Sequence, residues 1–335
     1  MQQPPPDRTT VAGTAFAAGP VASVGAWTLT DGHAGNRRQA EALAAALGIE
    51  ARAWTLRARA PWRWLAPRCG PGAERAFGAE FRTAVHAAPT LAIGCGRQAA
   101  LATRLLRAHG ARAVQILDPR IAPAHWDLVI APQHDGLQGA NVIPLLGSLH
   151  PVDDLWLAAA RREFATFAAL PAPRIALLIG GASAHARLDA AWLEALLVRV
   201  ADQVHGEGGS VLATASRRTP VPLRAHLRER LARVPGVVWG GDADGANPYA
   251  GLLGWADRIV CTADSVNMLS EAAATNVPVF VAGAERVGGR PGRFVQDLLD
   301  RGRVRPFDSG CSAFTVTPLR ETARVAAEVR ARLAL

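Results

Sequence analysis

The sequence predicts an α/β protein made of two doubly wound, Rossmann-like domains that face each other across a cleft. Short apolar runs rich in β-branched residues alternate with longer helix-forming segments along the chain, which is typical of parallel sheets covered by helices. The chain has 335 residues, 50% of them hydrophobic, and is therefore long enough to bury two separate cores.

One strand–helix–strand unit, residues 258–283, organises the second predicted domain. "RIVCT" and "VPVFVAG" are apolar strands, and "SVNMLSEAAAT" between them is a helix. Ligands of parallel sheets collect beyond the carboxyl ends of the strands, where the unpaired N–H groups of a helix N-terminus suit an anion. The turn "TADS" therefore predicts an anion site, although Asp and Ser are also ordinary helix caps. The residues predicted to bind the ligand here are Thr262, Asp264, Ser265 and Glu271, the last placed to reach a ribose hydroxyl.

The other elements follow in chain order. A Pro-, Gly- and Ala-rich start is expected to be disordered, and the first strand, the turn "DGHAGN" and a helix closed by Gly48 then begin the first domain. An amphipathic helix and a Pro-Ala-Pro hinge separate the two halves. The predicted divisions are a disordered leader at 1–20, an N-terminal domain at 21–150, an interdomain helix and hinge at 151–173, a C-terminal domain at 174–317 and a closing helix at 318–335.

Two further turns of the second domain suit a phosphate. "LLIGG" ends a strand in two glycines that allow close backbone approach, and "TASRRT" ends the next strand with arginines, whose planar fork suits a diphosphate. Taken alone, the two glycines after a strand usually form only a tight turn, and the two arginines are usually solvated. Because successive residues leaving a strand point to opposite sides, Arg217 is expected to face the ligand and Arg218 to lie at the periphery. The predicted ligand-binding residues of these turns are Gly180, Gly181, Ser183, Ser216 and Arg217.

The composition limits the partners. The formal net charge is +9, and all 37 basic residues are arginines, which indicates compositional bias rather than a clustered nucleic-acid surface, so no nucleic acid is expected. The four cysteines form no C-x-x-C pair, so neither a zinc site nor a disulfide framework is expected. No metal is predicted, on the expectation that no Asp-x-Asp motif and no cluster of His and carboxylates at ligand spacing is present, and no cofactor is predicted. No apolar run approaches a membrane span and no signal-peptide pattern opens the chain, so a cytoplasmic location is expected, with the inner membrane surface as a place of contact.

Two doubly wound domains that face each other across a cleft suggest a glycosyltransferase, a sugar-nucleotide epimerase of the same architecture, or a periplasmic-type binding protein, of which the lack of a signal peptide disfavours the last. Sugar transfer with inversion needs a general base beside the acceptor hydroxyl. The sequence offers Asp31, with His33 beside it, in the first turn, and the pair His134 and Asp135 in "PQHDG" after a later strand. A histidine in such a turn is more often a structural residue. The predicted catalytic residues are Asp31, His134 and Asp135.

The stretch from Arg57 to Arg68 interleaves arginines with Trp62, Trp64 and Leu65. Such a pattern suits an anionic membrane surface. The alternative is a loop packed over the domain edge, and the prolines argue against a regular amphipathic helix.

Seven motifs in order resemble the mitochondrial fission Elm-one-like family over about residues 24–281. They are "DGHAGNRRQAEALAAALG", "IGCGRQAA", "VQILDPRIAPAHWDLVIAPQHD", "NVIPLLGSLH", "LLIGGASAH", "TASRRTP" and "NPYAGLLGWADRIVCTADSVNMLSEAAATNVPV". The resemblance implies a GT-B-like architecture similar to that of nucleotide-sugar glycosyltransferases. Plant members of the family are known as adaptors that recruit a dynamin-related protein to mitochondria.

Two functions from different classes follow. The first is a metal-independent glycosyltransferase that binds a nucleotide-diphosphate sugar and acts on an envelope or lipid-linked acceptor. The second is a non-catalytic GT-B-like scaffold at the membrane surface. An enzyme needs a base that faces the cleft, whereas a scaffold does not.

Overall fold

The computed structural model describes residues 25–181, 186, 189–308 and 310–335. The predicted leader at 1–20 and Ser183 lie outside these residues. The described residues form two six-stranded sheets in which every strand pair is parallel, with helices packed around them. The predicted α/β class with two doubly wound sheets is confirmed.

The first sheet runs through the N-terminal half of the chain. Its strands are β1 (Ala26–Thr30), β2 (Ala51–Thr55), β3 (Leu91–Cys95), β4 (Arg112–Ile116), β5 (Leu128–Pro132) and β6 (Val142–Leu145). They lie in the order β2-β1-β3-β4-β5-β6. Every residue of β3 and β5 is buried, as expected of central parallel strands covered on both faces.

The helices of this half connect the strands. They are α1 (Ala34–Ala46), α2 (Trp62–Leu65), α3 (Gly78–Ala84) and α4 (Arg97–Ala108). Gly48 closes α1 as predicted: it lies two residues beyond the last helical residue, and its φ of +67° is a left-handed conformation that favours glycine. The single turn α2 lies within the stretch expected to be irregular.

The second sheet repeats the design. Its strands are β7 (Arg174–Ile179), β8 (Ser210–Ala215), β9 (Gly236–Trp239), β10 (Arg258–Thr262), β11 (Val279–Ala282) and β12 (Val304–Pro306). The order β12-β11-β10-β7-β8-β9 is the doubly wound order of dinucleotide-binding domains. Strand β12 was not predicted because it is a three-residue edge strand that contains Arg and Pro.

The remaining helices cover this sheet and tie the halves together. They are α5 (Asp154–Glu163), α6 (Ala190–Glu207), α7 (Val221–Leu231), α8 (Tyr249–Trp255), α9 (Val266–Ala273), α10 (Gly289–Asp300) and α11 (Thr322–Leu333). The apolar side of α5 joins the core of the second sheet, whereas α11 returns to the first half and buries Val325 and Val329 in its core. The last helix of the chain therefore packs against the first domain. No helix of the described residues is long and apolar enough to span a bilayer.

Candidate functional site

The strand orders locate the ligand crevice of each sheet. A crevice forms where neighbouring strands send their connections to opposite faces, outside the carboxyl ends. In the first sheet this point lies between β1 and β3, and in the second between β10 and β7. The turn with Asp31 follows β1, whereas the Gly180–Gly181 and "TADS" turns follow β7 and β10.

The second crevice is built around the buried carboxylate of Asp264. One of its oxygens accepts a hydrogen bond from Thr262 Oγ1 at 2.6 Å, and the other accepts one from Gly181 N at 2.9 Å. Thr262 Oγ1 in turn accepts a hydrogen bond from Gly180 N at 2.8 Å. A Cβ at Gly180 would lie 2.1 Å from Asp264 Oδ2, so this backbone approach requires glycine. The β7 and β10 turns thus form one hydrogen-bonded unit.

The neighbouring β8 turn adds a cation, which is Arg218 and not the expected Arg217. Its Nη2 donates to Asp264 Oδ2 at 3.0 Å, while the side chain remains 47% exposed. The structure thus brings Arg218, which was expected at the periphery, to the crevice, because residues 216–219 leave the strand as a turn and the alternation of side-chain directions ends at Ala215. Ser216 supports the turn by accepting from Arg218 N, and Arg217 is exposed.

Helix α9 begins beside this unit. Ser265 is its N-cap, and its Oγ accepts a hydrogen bond from Met268 N at 3.5 Å. The first N–H groups of the helix have no intrahelical partners and carry the positive end of the helix dipole. The crevice therefore combines a half-exposed guanidinium with a helix N-terminus, a combination that suits a diphosphate.

The first crevice holds Asp31 with one oxygen engaged and one open. Its Oδ1 accepts from His33 N at 3.1 Å and from Asn36 Nδ2 at 3.0 Å, and the side chain is 16% exposed. Among the described residues no hydrogen bond goes to Oδ2, which faces Gly96 at the end of β3. Burial raises the pKa of Asp31, but the hydrogen bonds from His33 and Asn36 outweigh it, and the net direction is downward.

The two crevices face each other across the domain interface. A Cβ on Gly35, in the first turn of α1, would lie 2.0 Å from Asn267 Nδ2 in the first turn of α9. Gln39 Nε2 lies 3.5 Å from Asn267 Oδ1. The helix that follows Asp31 thus packs against the helix that follows Asp264.

Glu271 lies deeper in this interface and is only 2% exposed. Its Oε1 accepts from Arg38 Nη1 of the first half at 2.6 Å, and its Oε2 accepts from Tyr249 OH at 2.5 Å. Burial raises the pKa of Tyr249 well above its usual value, so the phenol stays a donor. Both carboxylate oxygens of Glu271, the residue predicted to bind a ribose hydroxyl, are therefore engaged, one by the first half and one by the second.

His134 and Asp135 lie away from Asp31. They follow β5, three strands from β1 in the sheet order, a separation of roughly 14 Å. Asp135 Oδ1 lies 3.3 Å from Arg290 Nε of α10, and the ring of His134 packs on Phe294. Burial lowers the pKa of His134 and raises that of Asp135. The structure does not bring this pair together with Asp31.

Several interface residues were not predicted. Besides Arg38 and Tyr249, Arg290 Nη2 binds Asp118 Oδ2 at 3.0 Å across the domains. The contacts of Arg38 and Arg290 join residues more than a hundred positions apart, and no local pattern indicates them. The expectation that no Asp-x-Asp motif is present is wrong, because Asp242 and Asp244 form one after edge strand β9, where Arg228 binds Asp244 through Nε and Nη2.

Two solved structures share this architecture. S. aureus MnaA, in a co-structure with UDP, superposes with a TM-score of 0.51 at 11% identity, covering 93% of this chain and 97% of that one. The UDP-GlcNAc 2-epimerase of Methanocaldococcus jannaschii gives a TM-score of 0.51 at 13% identity, covering 90% of this chain and 91% of that one. At these identities the likeness shows the fold alone, which is the GT-B-like arrangement expected from the sequence.

The sequence relatives define the family. Residues 34–333 match the family described as Mitochondrial fission ELM1. The mitochondrial fission protein ELM1 of Arabidopsis thaliana is 32% identical over 277 residues, which cover 73% of this chain and 64% of the plant protein. With nearly the whole described chain inside the family match, the protein belongs to the mitochondrial fission ELM1 family.

Proposed function

We propose that the chain binds a nucleotide-diphosphate sugar in the second-domain crevice and transfers the sugar, without a metal, to an envelope or lipid-linked acceptor. The observation that carries the proposal is the meeting of the β7, β8 and β10 turns around Asp264. The two solved structures of like fold add support, since one is a co-structure with UDP and the other is a UDP-GlcNAc epimerase.

The charges of the crevice fit a diphosphate. A guanidinium has five N–H donors. Within the described residues Arg218 gives one of them to Asp264, which leaves the exposed face of the group free to donate. The buried carboxylate holds this arginine in place, and the N-terminus of α9 supplies further donors. In this arrangement Ser265 and Thr262 fix the backbone around the phosphates.

A nucleoside diphosphate is expected to raise the melting temperature of the protein. At about 100 times its dissociation constant, a ligand that binds only the native state stabilises it by roughly 2.7 kcal/mol. The measurement is a thermal melt with UDP, GDP, ADP, CDP and dTDP, each compared with its nucleoside. The proposal fails if none of the five diphosphates shifts the melting temperature beyond its nucleoside.

Replacement of Arg218 by Ala is expected to weaken binding of the active nucleotide more than replacement of Arg217 by Ala. The loss for Arg218→Ala corresponds to about 1.5 to 3 kcal/mol, the range for a charge-assisted hydrogen bond. Arg217→Ala is the matched control, because it removes the same charge from the next residue. Calorimetric titration of both variants checks the prediction, and a larger loss with Arg217→Ala would restore the order expected from strand alternation.

A non-catalytic scaffold is the second candidate, and one observation favours it. Arg38 and Tyr249 engage both oxygens of Glu271, so this carboxylate is satisfied between the domains without a ligand. The name of the plant relative, a mitochondrial fission protein, is compatible with such a role. Turnover of a nucleotide-sugar panel with extracted envelope lipids separates the candidates, since only an enzyme releases free nucleoside diphosphate.

A further inference from the structure

The one-turn helix α2 presents two large apolar side chains to solvent. Trp64 is 64% exposed and Leu65 is 43% exposed. In the described part of the chain, the other large hydrophobic residues exposed to this degree are Leu155 and Val221, on separate helices. Trp62, on the same turn, packs against the core of the first domain, so the loop is anchored while its tip stays uncovered.

Arginines of α4 hold this tip rigidly. Arg97 donates to the carbonyls of Arg63, Trp64 and Ala66 at 2.9 to 3.1 Å. Arg104 donates to the carbonyl of Pro67 at 2.6 Å. Three hydrogen bonds from one guanidinium fix the backbone from which Trp64 and Leu65 project. Binding through these two side chains therefore costs little additional conformational entropy.

The segment that carries the tip has charges of one sign. Residues 51–73 contain five arginines and no acidic residue. Arg57, Arg59, Arg63 and Arg68 are exposed, and among the described residues none of these four forms an ion pair with a carboxylate. The guanidinium of Arg63 stacks over the ring of Trp64 at 5.4 Å. Apolar side chains ringed by unpaired cations are complementary to an anionic bilayer interface, where tryptophan rings also partition.

The tip also lies beside the first-domain crevice. Arg97, which clamps it, is the first residue of α4 and follows Gly96. Gly96 in turn borders Asp31, since a Cβ there would lie 3.8 Å from Asp31 Oδ2. An acceptor held in a membrane touched by Trp64 would therefore be close to the carboxylate that faces the donor site.

We propose that this arginine–tryptophan surface, residues 57–68, docks the first domain on an anionic lipid bilayer. Trp64 and Leu65 enter the interface and the four arginines bind lipid phosphates. This inference rests on the proposed function only where it places the acceptor in the membrane. Binding to the bilayer itself requires neither nucleotide nor turnover.

Vesicle sedimentation tests the surface, with phosphatidylcholine vesicles compared with vesicles that also contain phosphatidylglycerol. The apolar variant is Trp64→Ser with Leu65→Ser, and its control is Leu155→Ser with Val221→Ser. The charge variant is Arg57→Gln, Arg59→Gln and Arg68→Gln, and its control removes three exposed arginines elsewhere, Arg82→Gln, Arg162→Gln and Arg233→Gln.

The parent chain is expected to bind the anionic vesicles and not the neutral ones. The apolar variant should bind about tenfold more weakly, and the charge variant about fivefold more weakly for each arginine removed. Both controls should bind like the parent. Equal losses of vesicle binding in variants and controls would show that net charge alone attracts the protein. If the parent does not bind the anionic vesicles, the exposed tip would instead fit a protein partner. Either result overturns the proposal. Nucleotide melts on the same variants report the proposed function separately.

Discussion

The Asp31→Asn variant is expected to keep its fold and its nucleotide affinity while sugar transfer falls by about 100-fold or more, the usual loss when a general base is removed. An asparagine still offers an oxygen to His33 N and Asn36 Nδ2, which both donate to Oδ1. It cannot take a proton from an acceptor hydroxyl. The measurements are a thermal melt, a nucleotide titration and release of nucleoside diphosphate from the donor sugar.

The pH profile distinguishes Asp31 from the other candidate bases. Against the opposing effect of burial, hydrogen bonds from His33 and Asn36 lower the pKa of Asp31, so this carboxylate stays ionised to a lower pH than an ordinary aspartate and transfer should decline only in acid. Burial raises the pKa of Asp135, so a decline at distinctly higher pH would indicate the His134–Asp135 pair. Full turnover in a folded Asp31→Asn protein would contradict the assignment, and unfolding would make Asp31 a structural residue of the turn.

The Arg303→Ala variant is expected to lower the free energy of unfolding by about 3 kcal/mol, because buried acceptors lose a charged donor. Arg303 is 6% exposed and donates to Ala273 O, in the last residue of α9, at 2.7 Å and to Thr275 O, just beyond the helix, at 2.9 Å. Burial lowers its pKa to about 10, so the guanidinium is charged at neutral pH. Its charge also lies at the favourable end of the helix dipole.

Urea unfolding of matched variants checks this prediction. Arg301→Ala removes an exposed arginine two residues away and should leave the unfolding midpoint nearly unchanged. Arg303→Met restores most of the lost volume without restoring the donors. If Arg303→Met is as stable as the parent, packing rather than hydrogen bonding explains the role of Arg303. If Arg303→Ala is as stable as Arg301→Ala, the hydrogen bonds of Arg303 contribute nothing measurable to stability.

Local sequence determined the two α/β halves and the turns that end their strands. Continuous hydrophobic runs such as "LAIGC" and "IVCT" are typical of parallel strands that helices cover on both faces, and the structure buries every one of their residues. Caps such as Ser265 and Gly48 act within one helical turn, so they can be predicted from the local sequence without knowledge of the fold. The alignment of three turns at one sheet edge followed from the parallel connection rule.

Only the tertiary structure decided which side chains meet. Arg218 rather than Arg217 reaches Asp264, because a turn does not continue the alternation of a strand. Glu271 faces Arg38 because α1 and α9 pack across the interface, and their residues are 233 positions apart in the chain. Such pairings depend on how two finished domains are placed against each other. The hydrophobic periodicity of a sequence, 2 residues in a strand or 3.6 in a helix, indicates only which face of one element is buried. It therefore does not predict these pairings.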